Sequence, residues 1–219
     1  MQEDLVPAAL WLDRPRLDRS FYTNPDVVAV AKNLLGKVLV TNFDQQICAA
    51  RIVETEAYRA PDDQACHAAN NRRTARTETM FKPGGHAYVY LVYGLHHLFN
   101  VVTYEQGAAH AVLIRAVEPL SGIPVMLARR GFTSVKTQLT AGPGVLSKAM
   151  GIFRQYDGTD LCAPDSPIWL TDDGFRLQNK AIQIGTRVGV DYAGADALRP
   201  WRFSIQNHAW VSRAKGSGH

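Results

Sequence analysis

The chain has 219 residues, of which 46% are hydrophobic and 20% are charged. This composition excludes a disordered or collagen-like protein, and the length suits one domain with a full-sized core. Lysine and arginine outnumber aspartate and glutamate by 24 to 20, which gives a net charge of +4, so a polyanionic partner is permitted but not required.

The N-terminal segment has no targeting pattern. It contains acidic residues and prolines where a signal peptide has a basic start and an apolar core, and no later apolar run approaches membrane-spanning length. Three widely spaced cysteines without a C-x-x-C pair indicate neither a disulfide framework nor a thiolate zinc site. We therefore expect a cytoplasmic protein without membrane attachment. The final KGSGH is left out of the fold prediction because so short a Gly/Ser tail is typical of an appended linker.

The first predicted helix follows Asn24-Pro25. The sequence DVVAVAKNLLG predicts a helix with Asn24 as the N-cap, Pro25 in the first turn and Gly36 at the end. KVLVT and ICAARIVETEAY, which are rich in β-branched residues and separated by a polar turn, predict two strands. A loop is then predicted from Arg59 to Lys82, and a loop of this length inside a compact domain is usually functional or disordered.

The rest of the chain predicts mostly strands. The predicted strands are GHAYVYLVYG, LFNVVTYEQG, HAVLIRAVE, PIWL, AIQIGTRVGV and WRFSIQ. IPVMLARRG and PGVLSKAMG predict short helices, because each has proline near its start and glycine at its end. The predicted fold is α+β: a single domain over residues 1–219, ordered from about 20 to 212, with a mostly antiparallel curved sheet, a few flanking helices and a protruding hairpin.

Two carboxylates and a phenol share one face of the second strand. Side chains alternate along a strand, so Glu54, Glu56 and Tyr58 project together. Arg115 lies within an apolar run, where an unpaired buried guanidinium is too costly, so we expect it to pair with Glu56 or Glu54. Such a pair can hold a water molecule and tune a general base. The alternatives are a purely structural ion pair, or an edge strand from which Arg115 points into solvent.

The stretch YVYLVYG places three tyrosines within seven residues. Tyr88 and Tyr90 share a strand face, whereas Tyr93 directly precedes Gly94, where the hairpin must turn. Tyrosines at strand spacing usually serve packing, but an aromatic ring at an exposed tip can stack on bases or fill the gap left by a flipped base.

Charged and imidazole groups near the long loop suggest further contacts. Arg72, Arg73 and Arg76 could grip phosphates, although such a cluster is also typical of a solvated surface. The four central histidines have no ligand spacing that indicates a metal site, and we expect none; they are His67, His86, His96 and His97.

Several motifs in order resemble the alkyladenine (3-methyladenine) DNA glycosylase family. They are VETEAY, DDQACHA, RRTART, MFKPGGHAYVYLVYGLHHLFNVV, AVLIRAVEPL, GPG, RVGVDYAG and RPWRF, and the resemblance spans roughly Phe21 to Trp210. It implies a monofunctional base-excision repair enzyme that flips alkylated or deaminated purines out of duplex DNA and hydrolyses the N-glycosidic bond. It further implies no metal or organic cofactor, a monomer that binds damaged double-stranded DNA, and a bacterial, nucleoid-associated setting.

The resemblance also assigns roles. Glu56 matches the base that activates water, and Arg115 matches the residue that positions this water. The residues that match the purine-binding pocket are Tyr58, His67 and Tyr90, which sandwich the base, and Asn100, which crowds the exocyclic amine of guanine. The residues that match the DNA-facing hairpin tip are the wedge Tyr93 with Leu95 and His96.

Two positions depart from the family pattern. His96 stands where many members have tyrosine, and Val145 follows GPG where lysine is expected. These differences affect the hairpin tip and one phosphate contact.

Two other functions stay open. A non-catalytic nucleic-acid-binding module would use the same aromatic residues for stacking and keep Glu56 with Arg115 as a structural pair. A bifunctional glycosylase and lyase would use a lysine such as Lys82 as an amine nucleophile.

Overall fold

Eight strands in one antiparallel sheet organise the part of the chain that the computed structural model describes, residues 4–216. The strands are β1 (Val38–Phe43), β2 (Gln46–Arg59), β3 (Ala87–Val92), β4 (His96–Thr103), β5 (His110–Ser121), β6 (Ile168–Thr171), β7 (Ile182–Gly185) and β8 (Arg202–Ile205). The order is β3-β4-β5-β2-β1-β6, and β8 pairs with both β2 and β7. The sheet does not close into a barrel, and the predicted single α+β domain is confirmed.

The helices are short and few. The α-helices are α1 (Arg19–Tyr22), α2 (Val27–Leu34), α3 (Ile123–Arg130) and α4 (Pro143–Met150). The 3₁₀ helices are Ala8–Trp11, Ala69–Asn71, Glu78–Phe81, Thr137–Leu139, Arg154–Tyr156, Asn179–Ala181 and Asp191–Leu198. Within residues 4–216, no helix combines the length and apolar character that crossing a bilayer requires.

The N-cap of α2 differs from the prediction. Oδ1 of Asp26, not of Asn24, accepts the hydrogen bonds of the first turn, from the N–H groups of Val28 at 2.9 Å and Ala29 at 3.2 Å. Asn24 instead accepts from the N–H of Asp26 at 2.8 Å. Asn24 therefore forms the turn before the helix, and the carboxylate two residues later caps it.

The long strand β2 connects the two halves of the sheet. It pairs with β1 along its first half and with β5 along most of its length, and β8 joins it opposite Glu54 and Glu56. In the β2–β5 register, Glu56 is opposite Leu113 and Tyr58 is opposite Ala111, with irregularities on either side of Glu54. Because β5 lies between β2 and β4, Arg115 is on an interior strand. The edge-strand alternative for Arg115 is wrong.

The main core lies between the sheet and the helices that pack on it. Its largest fully buried apolar side chains include Leu34 of α2, Ile52 of β2, Phe99 of β4 and Met126 of α3. Burying a side chain of this size contributes roughly 1.5–3 kcal/mol. A second, smaller apolar cluster around Met80 and Tyr88 packs beneath the loop that follows β2.

The chain before residue 20 is also packed. Trp11 is buried, and its Nε1–H donates to Oγ of Ser121 on β5 at 2.7 Å. Packing therefore begins ahead of the ordered core that was expected from about residue 20. The tail that the sequence analysis set aside lies partly outside the described residues, because the description ends at residue 216.

The segment predicted as a strand over AIQIGTRVGV is only half strand. β7 ends at Gly185, and residues 186–190 form a loop. The side chain of Arg187 in this loop has no exposed surface, because it forms a buried ion pair with Asp63. This long-range contact holds residues 186–190 against the loop after β2, outside the β7–β8 pairing.

Candidate active site

Arg115 lies between two buried carboxylates of β2. Its Nε is 3.3 Å from Oε1 of Glu54, and its Nη1 is 3.3 Å from Oε1 of Glu56. Both glutamate side chains have no exposed surface, and that of Arg115 is 5% exposed. Burial lowers the pKa of Arg115, but the carboxylates of Glu56 and Glu54 more than offset it and raise this pKa overall. The predicted pairing across the sheet is confirmed, and it involves both glutamates.

Both oxygens of Glu56 accept further hydrogen bonds. The hydroxyl of Tyr58 donates to Oε2 at 2.7 Å, and the backbone N–H of Val188 donates to Oε1 at 2.8 Å. Burial first, and then the nearby Glu56 carboxylate, raise the pKa of Tyr58, so its hydroxyl stays protonated and able to donate. In this conformation the carboxylate is held in one orientation, and Tyr58 and Val188 cover it.

A cavity of about 690 Å³ opens beside Glu56. Tyr58, Arg115 and Val188, the three groups that contact the carboxylate, all line it. Its volume is within the range of roughly 300–1,000 Å³ that is typical of small-molecule sites. Further lining residues come from the loop after β2, both strands of the hairpin and the start of α4, and they include His67, Arg76, Tyr90, Asn100, Gly144 and Tyr192.

Three aromatic side chains form one wall of this cavity. The rings of His67 and Tyr90 meet edge to face with centroids 4.6 Å apart, and the Tyr88 and Tyr90 centroids are 5.2 Å apart. Nδ1 of His67 is 2.9 Å from the hydroxyl of Tyr88. Burial, with a contribution from the charge of Arg76, lowers the pKa of His67 to about 4. His67 is therefore neutral near pH 7, and this wall presents uncharged rings.

Asn100 lies beside the same wall. It is 3% exposed and lines the cavity from β4. Its Nδ2 donates to the backbone oxygen of Tyr88 at 3.0 Å, so the amide is tied to the neighbouring strand β3. A side chain fixed in this way presents a constant shape to a ligand.

The hairpin of β3 and β4 ends in the predicted exposed tip. Tyr93 is 92% exposed and has a φ of 50°, and Gly94 follows with a φ of 69°. Leu95 is 78% exposed and His96 is also exposed. The prediction that Tyr93 stands at the turn is confirmed. The two exposed apolar side chains form a protrusion beside the cavity mouth, because Tyr93 and His96 also line that mouth.

The two positions that depart from the family pattern lie in the same region. His96 packs so closely on Gly144 that a Cβ added there would be 3.0 Å from Cβ of His96. Val145, the next residue along the chain, lines the cavity with His96. The start of α4 therefore supports the base of the hairpin tip.

The three arginines of the long loop are all exposed, but they have different neighbours. Arg72 is exposed. Arg73 pairs with Glu78, with Nε 2.7 Å from Oε2. Arg76 lines the cavity, with Cζ 5.2 Å from the centroid of the Tyr90 ring. A role in phosphate binding stays a prediction for all three.

A buried cation packs on the ring of Tyr58 and was missed by the sequence analysis. Cζ of Arg187 lies 4.9 Å from the Tyr58 ring centroid and 5.3 Å from that of Trp201. Its Nη2 donates to Oδ1 of Asp63 at 2.8 Å, and its Nη1 donates to the backbone oxygen of Ala57 at 3.0 Å. Arg187 therefore fixes the ring of Tyr58 in place. The sequence analysis noted the motif RVGVDYAG only as part of the family resemblance. The residues of this motif do not by themselves predict the contacts with Asp63 and Glu56.

Histidines, cysteines and carboxylates do not gather into a metal centre within residues 4–216; no three of them could hold an ion there. Cys66, next to His67, is buried, and burial raises the pKa of its thiol to about 12. Its thiol is therefore protonated and unreactive near neutral pH.

Comparison with known proteins finds similarity along nearly the whole chain. Residues 20–209 match the family described as Methylpurine-DNA glycosylase. Three relatives carry the name "Putative 3-methyladenine DNA glycosylase". The Natranaerobius thermophilus protein is 46% identical over 198 residues, which is 90% of this chain and 98% of that protein. The Methanocella arvoryzae protein is 46% identical over 91% of this chain and 96% of its own length. The Bdellovibrio bacteriovorus protein is 45% identical over 90% of this chain and 98% of its own length.

Proposed function

The chain belongs to the methylpurine-DNA glycosylase family, and we propose that it is a DNA repair enzyme which draws a damaged purine into the cavity and hydrolyses its N-glycosidic bond. The observation that carries this proposal is the position of Glu56. Its carboxylate is held by Tyr58, Val188 and Arg115 directly behind the lining of an aromatic cavity. A protruding hairpin with an exposed tyrosine borders the mouth of the same cavity.

Tyr58, His67 and Tyr90 all line the cavity, and their rings suit stacking on a planar purine. A cation over an aromatic face gains roughly 0.5–2 kcal/mol, and many alkylated purines carry a positive charge. His67 adds no opposing charge to this stack, because its depressed pKa keeps it neutral near pH 7. Asn100, fixed against β3, supplies the steric test that disfavours guanine by crowding its exocyclic amine.

Glu56 acts as the general base in the proposed hydrolysis. The bond from C1′ of the sugar to the purine breaks, and its electron pair leaves with the base. Water then attacks the oxocarbenium-like C1′, and its proton passes to the Glu56 carboxylate. Arg115 offsets part of the charge of the two buried glutamates and keeps Glu56 in place, and Arg202, at 3.5 Å from Glu54, also contributes to this offset.

Because the Tyr58 hydroxyl covers the Glu56 carboxylate, this hydroxyl must move before hydrolysis can begin. In this conformation Oε2 is hydrogen-bonded to the Tyr58 hydroxyl, and the glutamate side chain has no exposed surface. Water reaches the carboxylate only when this hydroxyl turns away, so binding of the base beside the Tyr58 ring is proposed to include that movement. Catalytic hydrogen bonds are often rearranged between the free and the substrate-bound enzyme.

The hairpin tip is proposed to act on the duplex. Flipping a base costs a few kcal/mol of lost stacking and pairing, least at damaged or mispaired sites. The ring of Tyr93 fills the space that the base leaves, with Leu95 and His96 beside it. Arg72, which is exposed and does not line the cavity, is proposed to contact phosphates, with the salt-dependent affinity of a protein that scans DNA.

The alternative with Lys82 as a lyase nucleophile gains no support from its position. Lys82 is exposed, does not line the cavity, and lies with Nζ 3.5 Å from the backbone oxygen of Gly158. The non-catalytic alternative leaves the cavity as a binding site for stacked bases only.

One assay separates the three functions. The wild-type protein is incubated with methylated duplex DNA, and free bases, abasic sites and strand breaks are measured in the same samples. The proposed function requires release of 3-methyladenine and intact abasic sites, with no covalent adduct after borohydride reduction. Binding without base release supports the non-catalytic module, and a borohydride-trapped adduct supports the lyase.

A further inference from the structure

Arg76 is exposed and places a positive charge at the edge of the base-binding cavity, which it helps to line. Its Cζ is 5.2 Å from the centroid of the Tyr90 ring, and it lines the cavity together with His67. Within residues 4–216, no ion pair neutralises this guanidinium, whereas that of Arg73 is paired with Glu78. The charge of Arg76 also contributes, after burial, to the low pKa of His67.

This position conflicts with a cavity built for cationic bases alone. A base stacked against Tyr90 lies about 3.5 Å from that ring, so a guanidinium on its far face is about 8 to 9 Å from the base. At this distance two like charges repel enough to change relative rates roughly 2- to 30-fold, for effective dielectric constants between 80 and 20. If the guanidinium instead lies on the face of Tyr90 that the base occupies, the base must displace it. A cationic base then approaches the guanidinium more closely, and the repulsion between the two charges is larger.

We propose that Arg76 is a specificity-determining residue that disfavours positively charged alkylated purines relative to neutral purine lesions. The inference rests on the proposed function and deepens it. The aromatic rings favour cationic bases, and the charge of Arg76 opposes part of that preference. Neutral lesions such as hypoxanthine can therefore compete with cationic lesions for the cavity. Arg76 acts on the charge of the base, not on the phosphate backbone of DNA.

The test compares a cationic lesion and a neutral lesion in one duplex sequence. Single-turnover excision of 7-methylguanine and of hypoxanthine is measured for wild-type protein, Arg76→Gln and Arg76→Lys. Arg76→Gln removes the charge and should raise the ratio of 7-methylguanine to hypoxanthine excision roughly 2- to 30-fold. Arg76→Lys keeps the charge and should keep most of the wild-type ratio.

Arg72→Gln is the matched control, because Arg72 is exposed and lies outside the cavity lining. It removes the same charge four residues away and should leave the ratio unchanged while affecting both substrates alike. Affinity for undamaged duplex at several salt concentrations is the second readout. If Arg76 bound a phosphate instead, Arg76→Gln would lower the salt slope by about one unit, and we expect no such change.

An unchanged excision ratio in Arg76→Gln overturns the proposal, as does an equal shift in Arg72→Gln or a lower salt slope with the ratio intact. Failure of the proposed function has a different signature. In that case the wild-type protein releases no damaged base from methylated DNA, and no ratio exists to compare.

Discussion

The hydroxyl of Tyr58 donates to Oε2 of Glu56 across 2.7 Å, so an aromatic residue of the base-binding cavity also covers the proposed catalytic carboxylate. Strand geometry brings these two groups together, because residues two apart on β2 project from the same face. The ring of Tyr58 is in turn fixed by Arg187. Recognition of the base and access of water to Glu56 are therefore coupled through one side chain.

Tyr58→Phe tests this coupling. The variant keeps the ring but frees Oε2, so we expect base excision at or above the wild-type rate, with stability lowered by about 1.5–3 kcal/mol because a charge-assisted hydrogen bond is removed. Single-turnover release of 3-methyladenine and urea denaturation measure the two effects. Tyr58→Leu, which also removes the ring, should lose excision. A Phe variant as inactive as the Leu variant would show that the hydroxyl itself is needed.

Glu56→Gln should reduce base release by roughly 10²–10⁴-fold, because the amide cannot take the proton of the attacking water. Its single amide oxygen still accepts from Val188, and its amide nitrogen can donate to the Tyr58 hydroxyl, so binding to damaged duplex should persist. Glu54→Gln is the control, since Glu54 shares Arg115 but its other partners, Arg202 and Ser212, do not line the cavity. Loss of stability with retained excision is expected there. Equal losses of excision in both variants would indicate that the carboxylates only hold the fold.

Replacement of Tyr93 should affect base capture without affecting stability. Its side chain is 92% exposed and its φ is 50°, a backbone conformation that asparagine adopts readily. Tyr93→Asn should therefore fold like the wild type but excise about tenfold more slowly, since unstacking of the flipped base is no longer compensated. Tyr93→Phe keeps the ring and should retain activity. Equal rates and equal affinities for damaged duplex in Tyr93→Asn and wild type would rule out the wedge.

His67 should make stability depend on pH in a defined window. Its pKa falls from an ordinary 6.5 to about 4 on folding, so the unfolded chain binds the proton more tightly. The stabilising effect of neutral His67 is complete above pH 6.5 and is lost as the pH falls towards 4, by about 2–4 kcal/mol. Urea denaturation at several pH values should show a flatter profile for His67→Gln. Parallel profiles for the two proteins would contradict this assignment.

Asp63→Asn should be strongly destabilising. It leaves the buried guanidinium of Arg187 without its counter-charge, and breaking such a pair costs roughly 3–5 kcal/mol. The neighbouring Asp62→Asn breaks only exposed pairs with Arg59 and Arg199 and should cost about 1 kcal/mol or less. Denaturant unfolding of the two variants measures the difference. Similar midpoints for both would show that the Arg187 pair contributes little to stability.

The sequence alone was enough to predict the positions of side chains that follow from the local periodicity of a strand or from a turn. The two-residue repeat of a strand put Glu54, Glu56 and Tyr58 on one face, and the burial of the surrounding run required a carboxylate partner for Arg115. Gly94 marked the turn that exposes Tyr93. These inferences held because they depend on backbone geometry and on the cost of an unpaired buried charge, which nearby residues determine.

Only the tertiary structure decided the contacts between segments far apart in the chain. Val188 reaches Glu56, and Arg187 pairs with Asp63, because residues 186–190 leave the sheet, although their sequence predicted a continued strand. Likewise, the composition of the long loop suggested one basic cluster, but packing places Arg76 against the Tyr90 ring at the edge of the cavity and pairs Arg73 with Glu78. Periodicity specifies the face on which a side chain lies, whereas its partner across the fold depends on how distant segments pack together.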